Sequence, residues 1–371
     1  MIASAKPVEP RVKFTADPFQ RRLRERVDRY FRATGRSERD CPSMYAKTAI
    51  IFGWAIVSYV VLVFHATAWW QAVPLVISLG LATAAIGFNV QHDGSHRAYS
   101  SRPWVNAIMA RTLDLVGASS FVWARKHNSI HHTYTNIAGW DDDIDVGFLG
   151  RLAPEQRRLG VHRAQHLYLW VLYAFLPLKW QWYDDFREVV RGRVGTHRIP
   201  RPRGGELALF ALGKAVFFTY ALVIPALFHP WWVVLACYLG ACWTQGVVLS
   251  VVFQMAHVVE EAAFFDPDAE TGRLPHSWAA HQIMTTVDFA RDNRALSWFV
   301  GGLNFQIEHH LFPRICHIHY PRIARIVERA CRRAGIPYHA NPTLRTAIRS
   351  HYRWLKRLGR PEPLAPARSA T

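Results

Sequence analysis

The sequence predicts an all-α membrane protein: four transmembrane helices in two hairpins, with a cytosolic helical cap carrying the chemistry. Three observations predict it. Residues 48–91 and 215–258 contain no Lys, Arg, Asp or Glu, and a span needs about 20 apolar residues, so each block holds two. The basic residues are one-sided, with twelve Lys and Arg in residues 1–48, thirteen in 125–206 and twelve in 314–360. Finally, eight histidines gather beside the apolar segments: His92 and His96; His127, His131 and His132; His257; His309 and His310.

Taken in order, residues 1–44 read as a basic cytosolic arm with a helix-like stretch from Asp17 to Thr34. Nothing in it reads as a cleaved signal peptide, because no apolar core precedes the first span. The first hairpin is expected over roughly 48–70 and 73–91, turning near Trp69, Trp70 and Pro74. The second is expected over roughly 208–228 and 231–257, turning near His229, Pro230, Trp231 and Trp232, with Lys214 snorkelling to the inner surface. Aromatic residues at both turns suit the interfacial belt of a bilayer, and neither turn carries a Lys or Arg. The positive-inside rule therefore assigns both termini and the middle segment to the cytoplasm. Segments 104–124 and 166–182 are apolar but interrupted or short, and read as helices lying at the interface. Beyond a cytosolic lobe at 259–312, Ile323, Ile326, Val327 and Ala330 mark an amphipathic helix from Pro321 to Ala334. Residues 341–371 read as a cytosolic tail, disordered after Gly359.

A net charge of +18 can mark a nucleic-acid binder. Here the positive residues flank membrane spans on one side, where topology and anionic headgroups account for them, so no nucleic-acid partner is expected. The basic face leaves open the docking of an acidic electron-transfer protein. The five cysteines form no CxxC pair and no disulfide framework.

The histidine spacing points to metal. His92 and His96 are four residues apart, as are His127 and His131; on a helix such pairs share a face, roughly 5–6 Å apart at Cβ. His132 points about a quarter turn away and can serve a neighbouring ion. His92 and His257 emerge where the second and fourth spans return to the cytoplasm, so all four groups can converge on one site at the inner surface. The remaining eleven histidines show no partner pattern, apart from His281. With Gln282 and Thr285 beside it, His281 is a candidate substrate contact, set against ordinary polar packing. Eight imidazoles exceed one zinc, which takes three or four ligands. They suit two ions of a redox-capable, nitrogen-preferring metal, for which iron fits best. Asp141, Asp142, Asp143 and Asp145 follow the second group; they either orient histidine N–H groups from behind or form a solvated acidic loop. Of the four, whichever packs toward His131 is the favoured support. Glu260 and Glu261, just beyond His257, read as ordinary loop acids.

The three boxes His92-Asp-Gly-Ser-His96, His127-Asn-Ser-Ile-His131-His132 and Gln306-Ile-Glu-His309-His310, the last inside GGLNFQIEHHLFP, closely resemble those of membrane fatty acid desaturases. The resemblance covers about residues 45–340, taken here as the desaturase domain. Gln306 in place of a first histidine is similar to the front-end branch and related bacterial acyl desaturases. The resemblance implies a di-iron centre held by His92, His96, His127, His131, His132, His257, His309 and His310. Gln306 and Asn304 then stand as ligands or as supports of their neighbours. It also implies O2 as co-substrate, a fatty acyl substrate carried as a CoA thioester or membrane lipid, and a bacterial inner membrane rather than the endoplasmic reticulum. Many front-end members carry a fused cytochrome b5 domain with an HPGG motif. The only His-Pro pair here, His229-Pro230, lacks it, so electrons are expected from a separate donor such as ferredoxin, flavodoxin or cytochrome b5 with its reductase. A hydroxylase or ketolase on the same scaffold is the enzymatic alternative. A haem carrier or metal transporter is the alternative from another class, although such sites are expected between spans or near the midplane.

Overall fold

The computed structural model describes residues 12–15 and 18–361. Among them, four helices are long and apolar enough to cross a membrane: Pro42–Phe64, Trp69–Ser95, Gly205–Ala226 and Trp231–His257, called the first to fourth spans below. The first begins with proline at its opening position, where the missing N–H is one of the unpaired donors of any helix start. The connection to the second is His65–Ala68, earlier than the aromatic residues suggest. Trp69 and Trp70 open the second helix and Pro74 lies inside it. The Gln71 side-chain oxygen explains the shift, accepting from the backbone N–H groups of Thr67 at 2.8 Å and Ala68 at 3.2 Å and so closing the turn upstream.

The spans approach one another through small residues, as helices do where no hydrophobic drive separates them from lipid. A Cβ on Gly80 would meet the Ala241 carbonyl oxygen at 2.6 Å, and one on Gly240 would meet Val76 at 2.8 Å, so the second and fourth spans lie nearly backbone to backbone. Between the first and second, Trp54 Nε1 donates to Ser78 Oγ at 2.8 Å. The outward faces keep Ile56, Val57, Leu212, Leu227, Trp231 and Trp232 exposed, the composition expected against acyl chains.

Lys214 corrects the snorkelling expectation. It is buried, donates to the Gly117 carbonyl at 2.7 Å and pairs with Asp185 at 2.7 Å. A buried ammonium requires such a partner, and Asp185 lies close enough to hold it inside.

The non-spanning segments form two further hydrophobic layers that position the site. Helix Phe19–Thr34 buries Phe19, Leu23, Val27 and Phe31 against Ile283, Ile307, Ile323 and Val327, so the basic arm packs on the third histidine box instead of standing free. Helix Tyr320–Ala334 completes that layer. The last helix, Leu344–Leu358, is capped by the Thr343 hydroxyl accepting from the Thr346 N–H at 3.1 Å. It buries Trp354, Leu355 and Leu358 with Leu152 and Leu169. The segment expected as a tail is therefore core as far as Leu358; most of the stretch expected to be disordered, residues 362–371, lies outside the described residues. Among the described residues the regular structure is helical except for three two-stranded ladders that the all-α expectation omits. These are Lys13–Thr15 with Arg273–Ser277, Arg193–Val194 with His197–Arg198, and Asp288–Phe289 with Ala340–Asn341. Each is too short for period-two patterning to announce it.

Candidate metal centre

Two of the histidine groups sit on or after π-helical turns, Ile86–Gln91 just before His92 and Lys126–His131 containing His127. A π-turn widens the helix by one residue and re-aims the side chains that follow, which is why such turns gather at functional sites. His309 and His310 lie on the short helix Gln306–Leu311, and His257 ends the fourth span.

All eight histidines converge. The ring nitrogens of His92, His96, His127 and His309 lie within 4.8 Å of one another, as do those of His131, His257 and His310. His132 joins the two sets through His309 and His310, its ring stacked on His310 at 4.3 Å between centroids. Nε2 of His92 and Nε2 of His127 face each other at 3.2 Å. The Gln306 carboxamide approaches Nε2 of His257 at 2.9 Å and of His310 at 3.4 Å, so it belongs with the second set.

The donor set fits cations. Both ring nitrogens of His132, Nε2 of His96, Nδ1 of His257 and Nε2 of His309 are buried without a hydrogen-bond partner, which a folded protein normally avoids. Burial, reinforced by the neighbouring imidazoles, lowers His96, His127, His132, His309 and His310 well below the ordinary histidine range. The rings are thus held in the neutral, ligating form. Burial opposes charge on His131 as well, but the Asp141 carboxylate outweighs it and raises that group.

The fatty acid desaturase family model matches residues 67–342. The chain belongs to this family. It is 42% identical over 352 residues to a protein of Synechocystis sp. named sn-1 linoleoyl-lipid 6-desaturase, covering 94% of this chain and 98% of that one. A protein of the same name from Arthrospira platensis is 40% identical, with 92% of each chain covered. An acyl-lipid (8-3)-desaturase of Physcomitrium patens is 38% identical over 91% of this chain and 71% of its own. The enzyme is an oxidoreductase, a fatty acid desaturase.

In this desaturase the histidines are held from behind by groups that the sequence disclosed only in part. Asp141 packs most closely toward His131, its Oδ2 lying 3.0 Å from Nδ1, with Asp143 Oδ2 behind it at 3.6 Å. It also accepts from the Asn136 and Asp143 N–H groups, each at 3.0 Å. Asp145 is exposed and accepts from the Gly147 N–H at 2.9 Å in a loop, away from the rings. Asn304 donates to Ser297 Oγ at 2.9 Å and to the Ala290 carbonyl at 3.4 Å, so its amide N–H groups serve the neighbouring loop and not a histidine. The three candidate substrate contacts, His281, Gln282 and Thr285, are buried and hydrogen-bonded close to the histidines. Gln282 Oε1 sits 2.7 Å from His310 Nδ1, His281 Nε2 lies 2.9 Å from the Thr135 carbonyl, and the Thr285 hydroxyl donates to the His281 carbonyl at 2.8 Å. The Ser350 hydroxyl bonds Glu261, in line with the ordinary reading of the acids beyond His257.

Other supports carry no sequence signal of their own. The Tyr320 hydroxyl lies 3.4 Å from His309 Nδ1, and Asn136, in a left-handed conformation at φ 56°, donates to the His257 carbonyl at 2.9 Å. The third box is anchored by Asp288, whose carboxylate accepts from the Ile307 N–H at 3.1 Å and from the Tyr338 hydroxyl at 2.6 Å. Burial raises Asp288 to about 6, and burial together with the Asp288 carboxylate raises Glu308 well above the usual carboxylate range. These partners come from other segments of the chain or from the far side of a turn, where spacing is silent.

An apolar cavity opens beside His92. Phe88, Leu249 and Phe253 line it from the spans, Leu113, Val116 and Trp123 from segment 104–124, and Pro177 and Trp180 from segment 166–182. Trp123 connects it to the site by stacking on His127 at 4.7 Å.

Proposed function

We propose that this chain is an acyl-lipid desaturase that introduces a double bond at position 6 of a lipid-linked C18 chain, with two irons held by the eight histidines. His92, His96, His127 and His309 would hold one ion, and His131, His257 and His310 the other, with His132 between them and Gln306 beside the second. Bound there, two irons supply reduction of O2 by two electrons and two protons, so that two hydrogens leave adjacent methylenes and two waters form. Asp141 and Gln282 keep the outer nitrogens of His131 and His310 turned away from the metals, fixing each ring's orientation. The cavity beside His92 excludes water and presents one methylene pair to the site, the positional control such chemistry depends on.

The observation that carries the reading is the meeting of four sequence-distant histidine groups in one buried site against an apolar cavity walled by Trp123 and Trp180. The position is favoured by the two relatives at 42% and 40% identity, and the lipid-linked substrate by their names. We further assign the two hairpins to a bacterial inner membrane, with both termini and the histidine cap cytoplasmic, on the one-sided distribution of Lys and Arg. Residues 1–44, 45–340 and 341–371 serve as arm, desaturase domain and tail, the arm and the start of the tail lending helices to the cap. Electrons come from a separate small redox protein.

Gas chromatography of lipids from a host expressing the chain and supplied with linoleate tests the proposal. A triene carrying a new double bond at position 6, appearing first in membrane lipids, is the expected result. Unsaturation only at another position, or a hydroxylated product, overturns it.

A further inference from the structure

Outside the histidine site the described residues hold one other concentrated set of reactive side chains, where the start of the first span meets the loop after the third box. Cys41 immediately precedes the first span, and Cys316 precedes the short turn His317–His319. Both are buried, at 9% and 0% exposure. Their side chains pack in one buried cluster with Met44, Val90 and Tyr99, although they lie at opposite ends of the membrane-embedded chain. The backbone holds the two segments in register, with the Cys316 N–H donating to the Glu38 carbonyl at 2.9 Å and the Asp40 N–H to the Tyr99 carbonyl at 3.0 Å.

The two sulfurs are not equivalent. Cys41 Sγ lies 3.2 Å from Nε2 of His319, whose other ring nitrogen is buried without a partner. Cys316 lies on the opposite side, grouped with Asp93 and His317, and the Asp93 carboxylate opposes a second negative charge there. Contact with Cys316 and, after it, with His319 lowers the Cys41 thiol. The same contact, with burial and Asp93, raises Cys316. One sulfur thus has an imidazole beside it and the other a carboxylate, so the first is the better placed to react as a thiolate. A histidine beside the sulfur is one of the surroundings that favour a reactive thiolate. Cys242 and Cys331 are buried too, but Cys242 meets the Gln181 side chain and Cys331 packs in the apolar layer of Ile323 and Val327.

We propose that Cys41 and Cys316 form a peroxide-reactive dithiol, with Cys41 as the attacking sulfur, His319 as its proton acceptor and Cys316 as the resolving thiol. The Cys41 thiolate attacks one oxygen of a hydroperoxide, and the O–O bond breaks. With hydrogen peroxide, the departing hydroxide takes the proton from His319 and leaves as water, and Cys41 becomes a sulfenic acid. Cys316 then displaces the sulfenic hydroxyl, a second water leaves, and a disulfide joins the two residues. The cysteines lose two electrons in total and the peroxide gains them. The bond would fasten the start of the first span to the loop that follows His309 and His310. The proposal is independent of the iron assignment, because the oxidant can be added from outside.

Purified full-length protein in detergent is treated with hydrogen peroxide, denatured, alkylated with N-ethylmaleimide and digested for mass spectrometry. We expect a peptide pair joined through Cys41 and Cys316, two hydrogens lighter than the sum of the two peptides and separated by dithiothreitol, while Cys331 is recovered alkylated. In Cys316→Ser the sulfenic acid has no resolving partner, so dimedone should label Cys41 several-fold more than in the unsubstituted protein. Recovery of both Cys41 and Cys316 as alkylated thiols after peroxide would overturn the proposal, as would separate over-oxidation of each without the linked pair. Because the linked peptide is sought in the unsubstituted chain, poor folding of the variant leaves that measurement intact.

Discussion

Gln282 and His310 meet at 2.7 Å, side-chain oxygen to Nδ1, and the Thr135 hydroxyl donates to the same oxygen at 3.0 Å. That contact fixes which His310 nitrogen faces the histidine site. Removing it frees the ring to turn, and partners of this kind typically alter metal affinity or activity about 10–100-fold. Gln282→Leu should therefore lower bound iron and product together, with the chain-length preference unchanged. A shift in substrate preference at full iron content would return Gln282 to the substrate side.

Metal content follows from the convergence. Protein from iron-replete cells should hold about two irons per chain on the reading that eight imidazoles serve two ions, and His131→Ala should lose most of them. Asp141→Asn keeps the shape but weakens the acceptor on His131 Nδ1, so an intermediate loss is expected. Elemental analysis decides, and stoichiometric zinc without iron would count against redox chemistry.

Gln306 is the one box position that departs from histidine. A carboxamide is a weaker ligand than imidazole but both donates and accepts hydrogen bonds, and here it touches His257 and His310. Gln306→Ala should retain much of the iron and lose most activity, whereas His309→Ala should lose both. Wild-type turnover in Gln306→Ala would make the residue a bystander.

Topology has its own check. A membrane-impermeant thiol reagent applied from outside should label Gln71→Cys and spare Gly160→Cys in intact cells. Labelling at residue 160 would place the middle segment outside and separate His127, His131 and His132 from the cytoplasmic face.

Gly80 tests the contact between the second and fourth spans. Its Cβ position lies 2.6 Å from a carbonyl oxygen and 2.7 Å from Thr244 Cβ, so neither neighbour is a flexible side-chain end. Gly80→Val should destabilise the protein by about 1–3 kcal/mol, the usual range for overpacking, and lower the melting temperature in detergent. An unchanged melting temperature would mean that the helices part without loss.

The chain by itself determined the four spans, the histidine groups and the family. Uninterrupted hydropathy and the His92/His96, His127/His131/His132 and His309/His310 spacings are local signals, and each is complete within a few dozen residues. Only the tertiary structure decided how those groups divide into two sets, because the π-turns beside His92 and around His127 leave no composition cue. It alone decided that Asp141 and not Asp145 faces His131, that Gln282 serves His310, and that Lys214 is paired inside with Asp185. It also drew the helices Phe19–Thr34 and Leu344–Leu358 into the core. Their hydrophobic stripes were present in the sequence, but their abundant arginines disguised them as solvated arms. An amphipathic helix states that it has a face to bury and does not state against what. The partners of Cys41, Asp93 and Asp288 likewise lie far away along the chain, and residues so distant become neighbours only when the fold closes.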